Sequence, residues 1–187
     1  MVAEDTRLAT GGGAALADAE GRDRARTADE VFASLTRRHV DAAFRLAWAI
    51  LGEPGDAEDA AQDAFAMAWR KRGGLRDTAS FEPWFQRILV NTCRERLRQR
   101  GRSRVRAVET VPEQGVADDS VQVGLRTVVG GALAGLDPDH RVVVVLRYWA
   151  DLTVDEIADR VGVPAGTVKS RLHYALRTLH AELEGVR

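Results

Sequence analysis

Apolar residues recur at i, i+3 and i+4 spacing through most of the chain from Val31 to Leu183. The long interruption is 102–120, and its stretch 107–120 carries four carboxylates and no base. Such spacing makes amphipathic helices, and the one compact apolar run, Val142 to Leu146, has no second strand to pair with. The pattern therefore predicts an all-α chain of two small helical domains joined by a flexible acidic linker. Its boundaries are expected at 1–26 (a disordered, Ala/Gly-rich tail), 27–101, 102–120 (linker) and 121–183. A length of 187 residues suits two small domains.

Local signals place the helices. The first is expected from about Thr27 until Gly52-Glu53-Pro54-Gly55 breaks it. The second is expected with Asp56 as N-cap and acidic residues in its first turn, where the helix dipole favours them. Its apolar face holds Ala57, Ala60, Ala61, Ala64, Phe65, Ala68 and Trp69, and Gly73-Gly74 ends it. A third starts after Ser80, with Pro83 tolerated in its first turn, and runs into an arginine block. In the C-terminal half, Asp137-Pro138 is an N-cap followed by proline at the first helical position. Thr153 and Glu156 form a capping box, closed by Gly162. A last helix follows Pro164-Ala165-Gly166.

The charge balance of 27 basic and 28 acidic residues argues, taken whole, against a nucleic-acid partner. Its distribution argues the opposite. Glu53 to Asp63 holds five carboxylates and no base, whereas Arg94 to Arg106 holds seven arginines and one Glu. A block of that kind marks contact with a polyanion.

The short capped helix, the turn with Gly162 and the longer final helix form a helix-turn-helix pattern. Small residues at the start of the second helix let its end enter a major groove. Lys169, Ser170, Arg171, His173, Tyr174 and Arg177 lie off its apolar stripe. Arg171 is the candidate for a bidentate contact to guanine.

Two sets of residues, in order, resemble a known family. Leu136-Asp137-Pro138 to Leu146-Arg147-Tyr148, Glu156-Ile157-Ala158 and Gly166-Thr167-Val168-Lys169-Ser170-Arg171-Leu172 resemble the C-terminal domain of extracytoplasmic-function sigma factors of bacterial RNA polymerase. Asp56 to Phe65 with Ala68-Trp69-Arg70 resembles the segment with which these factors grip the polymerase. Phe81, Trp84-Phe85, Ile88, Asn91, Glu95 and Arg98 resemble their promoter-melting helix, with Glu95 where Asp is usual. The Arg-rich stretch is similar to the actinobacterial, sigma-E-like subgroup.

The resemblance implies a promoter-specificity subunit. Asp59, Gln62 and Asp63 would meet the clamp of the largest polymerase subunit, and the C-terminal domain the flap of the second. Asn91, Arg94 and Arg98 would hold the minus-ten element, with the loop Leu75 to Ala79 supplying a pocket for a flipped base. Arg147, Thr167, Lys169, Ser170, Arg171, His173, Tyr174 and Arg177 would read the minus-thirty-five element. An anti-sigma factor is a further partner the family suggests.

Two other classes share part of these signals. One is a helix-turn-helix regulator of the response-regulator output type, against which the acidic helix and the Asn91–Arg98 pattern count. The other is an enzyme. His173 and His180 are the only histidines sharing a helix face, and their seven-residue spacing does not make the usual metal pair. The single cysteine, Cys93, excludes a disulfide framework and a multi-cysteine zinc site, and reads as a buried inert thiol. No metal, cofactor, small-molecule substrate or membrane contact is expected, and the chain reads as a soluble cytoplasmic protein.

Overall fold

The computed structural model describes residues 12–75, 77–106 and 129–184, which are helical apart from short turns. The helices are α1 (Gly12–Leu51), α2 (Pro54–Lys71), α3 (Phe81–Arg106), α4 (129–135), α5 (Pro138–Tyr148), α6 (Val154–Val161) and α7 (Ala165–Glu184). A 3-10 turn, Arg72–Gly74, follows α2. The chain divides into two compact units, Met1–Arg38 and His39–Arg187. Most of the expected linker lies outside the described residues, as do 1–11 of the expected tail.

Three boundaries differ from the sequence expectation. Helix α1 already runs from Gly12, because Ala14, Ala15, Leu16, Ala17 and Ala19 are strong helix formers. Helix α2 starts at Pro54, with Glu53 as the extended N-cap residue, so Asp56 sits in the first turn instead of capping it. Proline at the first helical position takes the helix start upstream, since its fixed φ suits that site and its missing N–H needs no partner. Helix α3 carries on to Arg106, into the stretch expected as linker.

In the second unit, the alanine face of α2 (Ala57, Ala60, Ala61, Ala64, Ala68) is buried, and α2 packs on α3. Small side chains let the two backbones approach closely. The aromatic residues fill the remaining space. Phe85 stacks between Phe65 (4.4 Å) and Phe81 (5.5 Å), and Phe81 also meets the His39 ring of α1 at 4.9 Å. Trp84 is half-buried, its ring 6.0 Å from that of Phe81. Cys93 is buried on the same side of α3, and burial pushes its thiol pKa up to about 12. Between α1 and α2 the chain reverses at Gly52, whose φ of +82° disfavours any side chain.

The C-terminal helices follow their signals closely. Asp137 accepts the N–H of Asp139 (2.9 Å) at the start of α5. Both halves of the capping box form on α6: the Thr153 N–H donates to Glu156 (2.9 Å), and the Glu156 N–H to the Thr153 hydroxyl (3.3 Å). Gly162 ends α6 in the left-handed region. Val142 to Leu146 is buried helix, and Leu136, Val144 and Ala175 form a cluster joined by Leu133, Leu172 and Leu179. Because α6 has only eight residues, its cap carries unusual weight. Thr153→Ala is expected to cost about 1 kcal/mol, read as a lowered urea midpoint. An unchanged midpoint would mean packing alone holds α6.

Candidate nucleic-acid interface

Asn91, Arg94 and Arg98 share one face of α3, as their near-helical spacing requires. Arg94 donates from Nη1 to the Asn91 side-chain oxygen Oδ1 at 3.2 Å. Asn91 and Arg98 are exposed on that face, but Arg94 is withdrawn from solvent. Arg94 reaches Asp139 of α5 through Nε (2.9 Å) and Nη2 (2.8 Å), and donates from Nη1 to the Val161 carbonyl at the C-terminal end of α6 (3.1 Å). Arg98 bonds the same carboxylate at 3.0 and 3.2 Å. Arg171 of α7 bonds it at 2.7 Å. Three guanidinium groups from two distant segments thus converge on one carboxylate whose side chain is 17% exposed.

The electrostatics follow from that placement. Burial pushes the Asp139 pKa up, but the hydrogen bond and charge of Arg94, with Arg171 and Arg98, outweigh it and hold the group below the usual carboxylate range. Nearby, Arg141 of α5 is buried, with no ion pair among the described residues and its Nε unpartnered. It lies so close to the turn after α1 that a Cβ at Gly52 would sit 2.9 Å from its Nη2. Burial, and secondarily the charge of Arg100, push its pKa down to about 10.

The remaining residues expected on the recognition helix behave differently. Lys169, Ser170, His173, Tyr174 and Arg177 are exposed along α7, while Thr167 is partly covered. The Ser170 hydroxyl donates to the Thr167 carbonyl (2.9 Å), and Tyr174 lies 5.7 Å from the His173 ring. Arg147, partly exposed, folds back on its own loop and donates to the Leu152 carbonyl at 3.0 Å. In the loop before α3, Asp77 accepts the Ser80 N–H (2.7 Å) and hydroxyl (3.0 Å), which lower its pKa and order the entry to the helix.

On the acidic helix, Asp59, Gln62 and Asp63 are exposed together. Arg96 of α3 covers part of this face, with Nη2 2.5 Å from Asp63 and Nη1 3.5 Å from Asp59. At the base of α2, Asp56 pairs with Arg100. Glu95 is tied along its own helix to Gln99 and Arg102. Asp139, Arg141 and Arg96 were not singled out by the sequence. Asp139 shows there as a second acidic residue beside a capped helix start, a place the helix dipole already accounts for.

Two family models match the chain: "Sigma-70 region 2" over residues 35–103 and "Sigma-70, region 4" over residues 132–181. The RNA polymerase sigma-E factor of Streptomyces antibioticus is 35% identical over 153 residues, 82% of this chain and 84% of its own length. The ECF RNA polymerase sigma factor SigE of Mycolicibacterium smegmatis is 34% identical over 172 residues, 86% of this chain and 63% of its own length. The chain belongs to the extracytoplasmic-function sigma factors.

The sigma factor family is non-enzymatic, and its members direct promoter-specific transcription initiation with RNA polymerase. Region 2 covers α2, most of α3 and the C-terminal part of α1, and region 4 covers α5, α6 and most of α4 and α7. The region 2 match sets aside the response-regulator alternative, which has no use for that bundle. Among solved structures, the sigma factor fold recurs in CnrH, determined in complex with the cytosolic domain of CnrY. That match has a TM-score of 0.58 at 25% identity, and covers 82% of this chain and 88% of that one. Among the described residues, no helix is long and apolar enough to cross a membrane.

Proposed function

We propose that this sigma factor divides its work among three surfaces. Asp59, Gln62 and Asp63 bind the clamp of the largest polymerase subunit, while region 4 engages the flap of the second. Asn91, Arg94 and Arg98 hold the minus-ten element as it melts. Arg147, Thr167, Lys169, Ser170, Arg171, His173, Tyr174 and Arg177 meet the minus-thirty-five element, and Arg147 also braces the loop before α6. The protein works in the cytoplasm. An anti-sigma factor is a further partner, supported by the likeness to CnrH, which was solved bound to the cytosolic domain of CnrY.

The observation that carries this reading is the convergence of Arg94, Arg98 and Arg171 on one anionic group. Side chains set to grip a carboxylate from several directions have the geometry to grip phosphate oxygens and base acceptors. The exposed polar row on α7 supplies further contacts.

Run-off transcription with core polymerase on a randomised promoter library tests the reading. Wild-type protein is expected to select two short elements. Arg171→Ala is expected to lose about 1–3 kcal/mol of discrimination at one base position of the upstream element. Equal loss across all sequences would place Arg171 on phosphate instead.

A further inference from the structure

We propose that free sigma holds itself closed through Asp139, which occupies the arginines that would otherwise bind promoter DNA. The proposal rests on the assignment of Arg94, Arg98 and Arg171 to DNA made above. It goes further, in making one carboxylate of region 4 a competitor for the promoter.

The geometry is specific to this role. Asp139 pairs with Arg94 of region 2 and Arg171 of region 4 at once, at 2.8 and 2.7 Å, while Nη1 of Arg171 is left buried and unpartnered. A single side chain thereby bridges an arginine of the melting helix and an arginine of the recognition helix. Those arginines are correspondingly withdrawn from solvent, at 12% and 20% side-chain exposure. Contacts beside the carboxylate fasten the same surface: Arg94 to the Val161 backbone carbonyl, and Arg160 Nε of α6 to the Gln86 side-chain oxygen Oε1 of α3 at 3.2 Å.

The closure is also built to release. It buries Arg141 against the end of α1, near Arg100, with no carboxylate among the described residues to balance it. An unpaired buried cation opposes the state that buries it. The closed form therefore gains from the Asp139 cluster and loses at Arg141, which keeps it displaceable. When polymerase separates the two regions, promoter phosphates replace the carboxylate on the arginines.

Two variants of opposite charge effect test this in the full-length chain. Asp139→Asn removes a negative charge, and Arg160→Ala removes a positive one from outside the proposed DNA contacts. Each is labelled at introduced surface cysteines (Ala66→Cys on α2 and Ala181→Cys on α7) for interdomain distance by spin-label spectroscopy. Each is also titrated with a short duplex carrying the selected upstream element. The wild type is expected to give one narrow distance distribution, and both variants a broader, longer one. If the open form is about a tenth of the wild-type population, full opening tightens binding of the duplex about tenfold.

Tighter binding by Asp139→Asn alone, with Arg160→Ala unchanged in both readouts, would be a plain charge effect and would overturn the latch. Unchanged distances in both variants, with wild-type thermal melts showing them folded, would also overturn it. Opening without any gain in binding would uphold the closure and overturn the assignment of these arginines to DNA, so the two failures are told apart.

Discussion

Phe85→Ala is expected to cost about 3–5 kcal/mol of folding stability. The ring is 2% exposed and lies between two others, Phe65 at 4.4 Å and Phe81 at 5.5 Å. Its removal loses the transfer free energy of an aromatic side chain and leaves a void that the alanine face of α2 is too short to fill. Two offset aromatic pairs go with it, each contributing about 0.5–1.5 kcal/mol beyond burial. Domains of this size hold about 5–15 kcal/mol in total, so the loss leaves the region 2 bundle marginal. Urea unfolding followed by the fluorescence of Trp84, which leans on Phe81, gives the measurement. A loss under about 1 kcal/mol would show that α3 slides to refill the space, against the large-to-small rule.

The second large effect concerns the acidic helix. Asp59→Ala with Asp63→Ala is expected to weaken core polymerase binding about thirtyfold, as loss of a hot spot of about 2 kcal/mol does. The prediction needs a control, because Arg96 already contacts both carboxylates. If the pair serves polymerase, Arg96→Ala frees it, and binding holds or tightens. If the pair serves to fasten α2 to α3, Arg96→Ala weakens binding as much as the double variant does. Affinity for core enzyme, by fluorescence anisotropy on labelled sigma, separates the two outcomes. Exposed ion pairs contribute little to folding on their own, so both variants should retain wild-type melting behaviour within a few degrees.

Helices with strong local signals are legible in the sequence alone. Asp137-Pro138, Thr153 with Glu156, and Gly162 each act within a few residues, and each does in space what its spacing implies. The run Val142 to Leu146 is helix, consistent with its flanking caps and the lack of a pairing strand. Starts are harder where two signals compete. Pro54 overrides Asp56 at α2, and helix-forming alanines carry α1 back through Gly12 and Gly13. On the site, spacing places Asn91, Arg94 and Arg98 on a common face of α3. What covers that face is not legible. Arg94 and Asp139 are 45 residues apart in the chain, and a lone carboxylate in a first helical turn carries no mark of a distant partner. Arg141 is hidden for a similar reason, since charge alone suggests solvent and only packing reveals its burial.

The thiol of Cys93 has a use that its inertness creates. Thiolate is the reactive species, and in the folded bundle this one is both sealed and held protonated up to a pKa of about 12. As the sole cysteine of the chain, it can be reached by an alkylating reagent only when α3 comes away from its neighbours. Its modification rate in native buffer is thus a clock for the rarest openings of region 2, ticking once for each excursion of the melting helix.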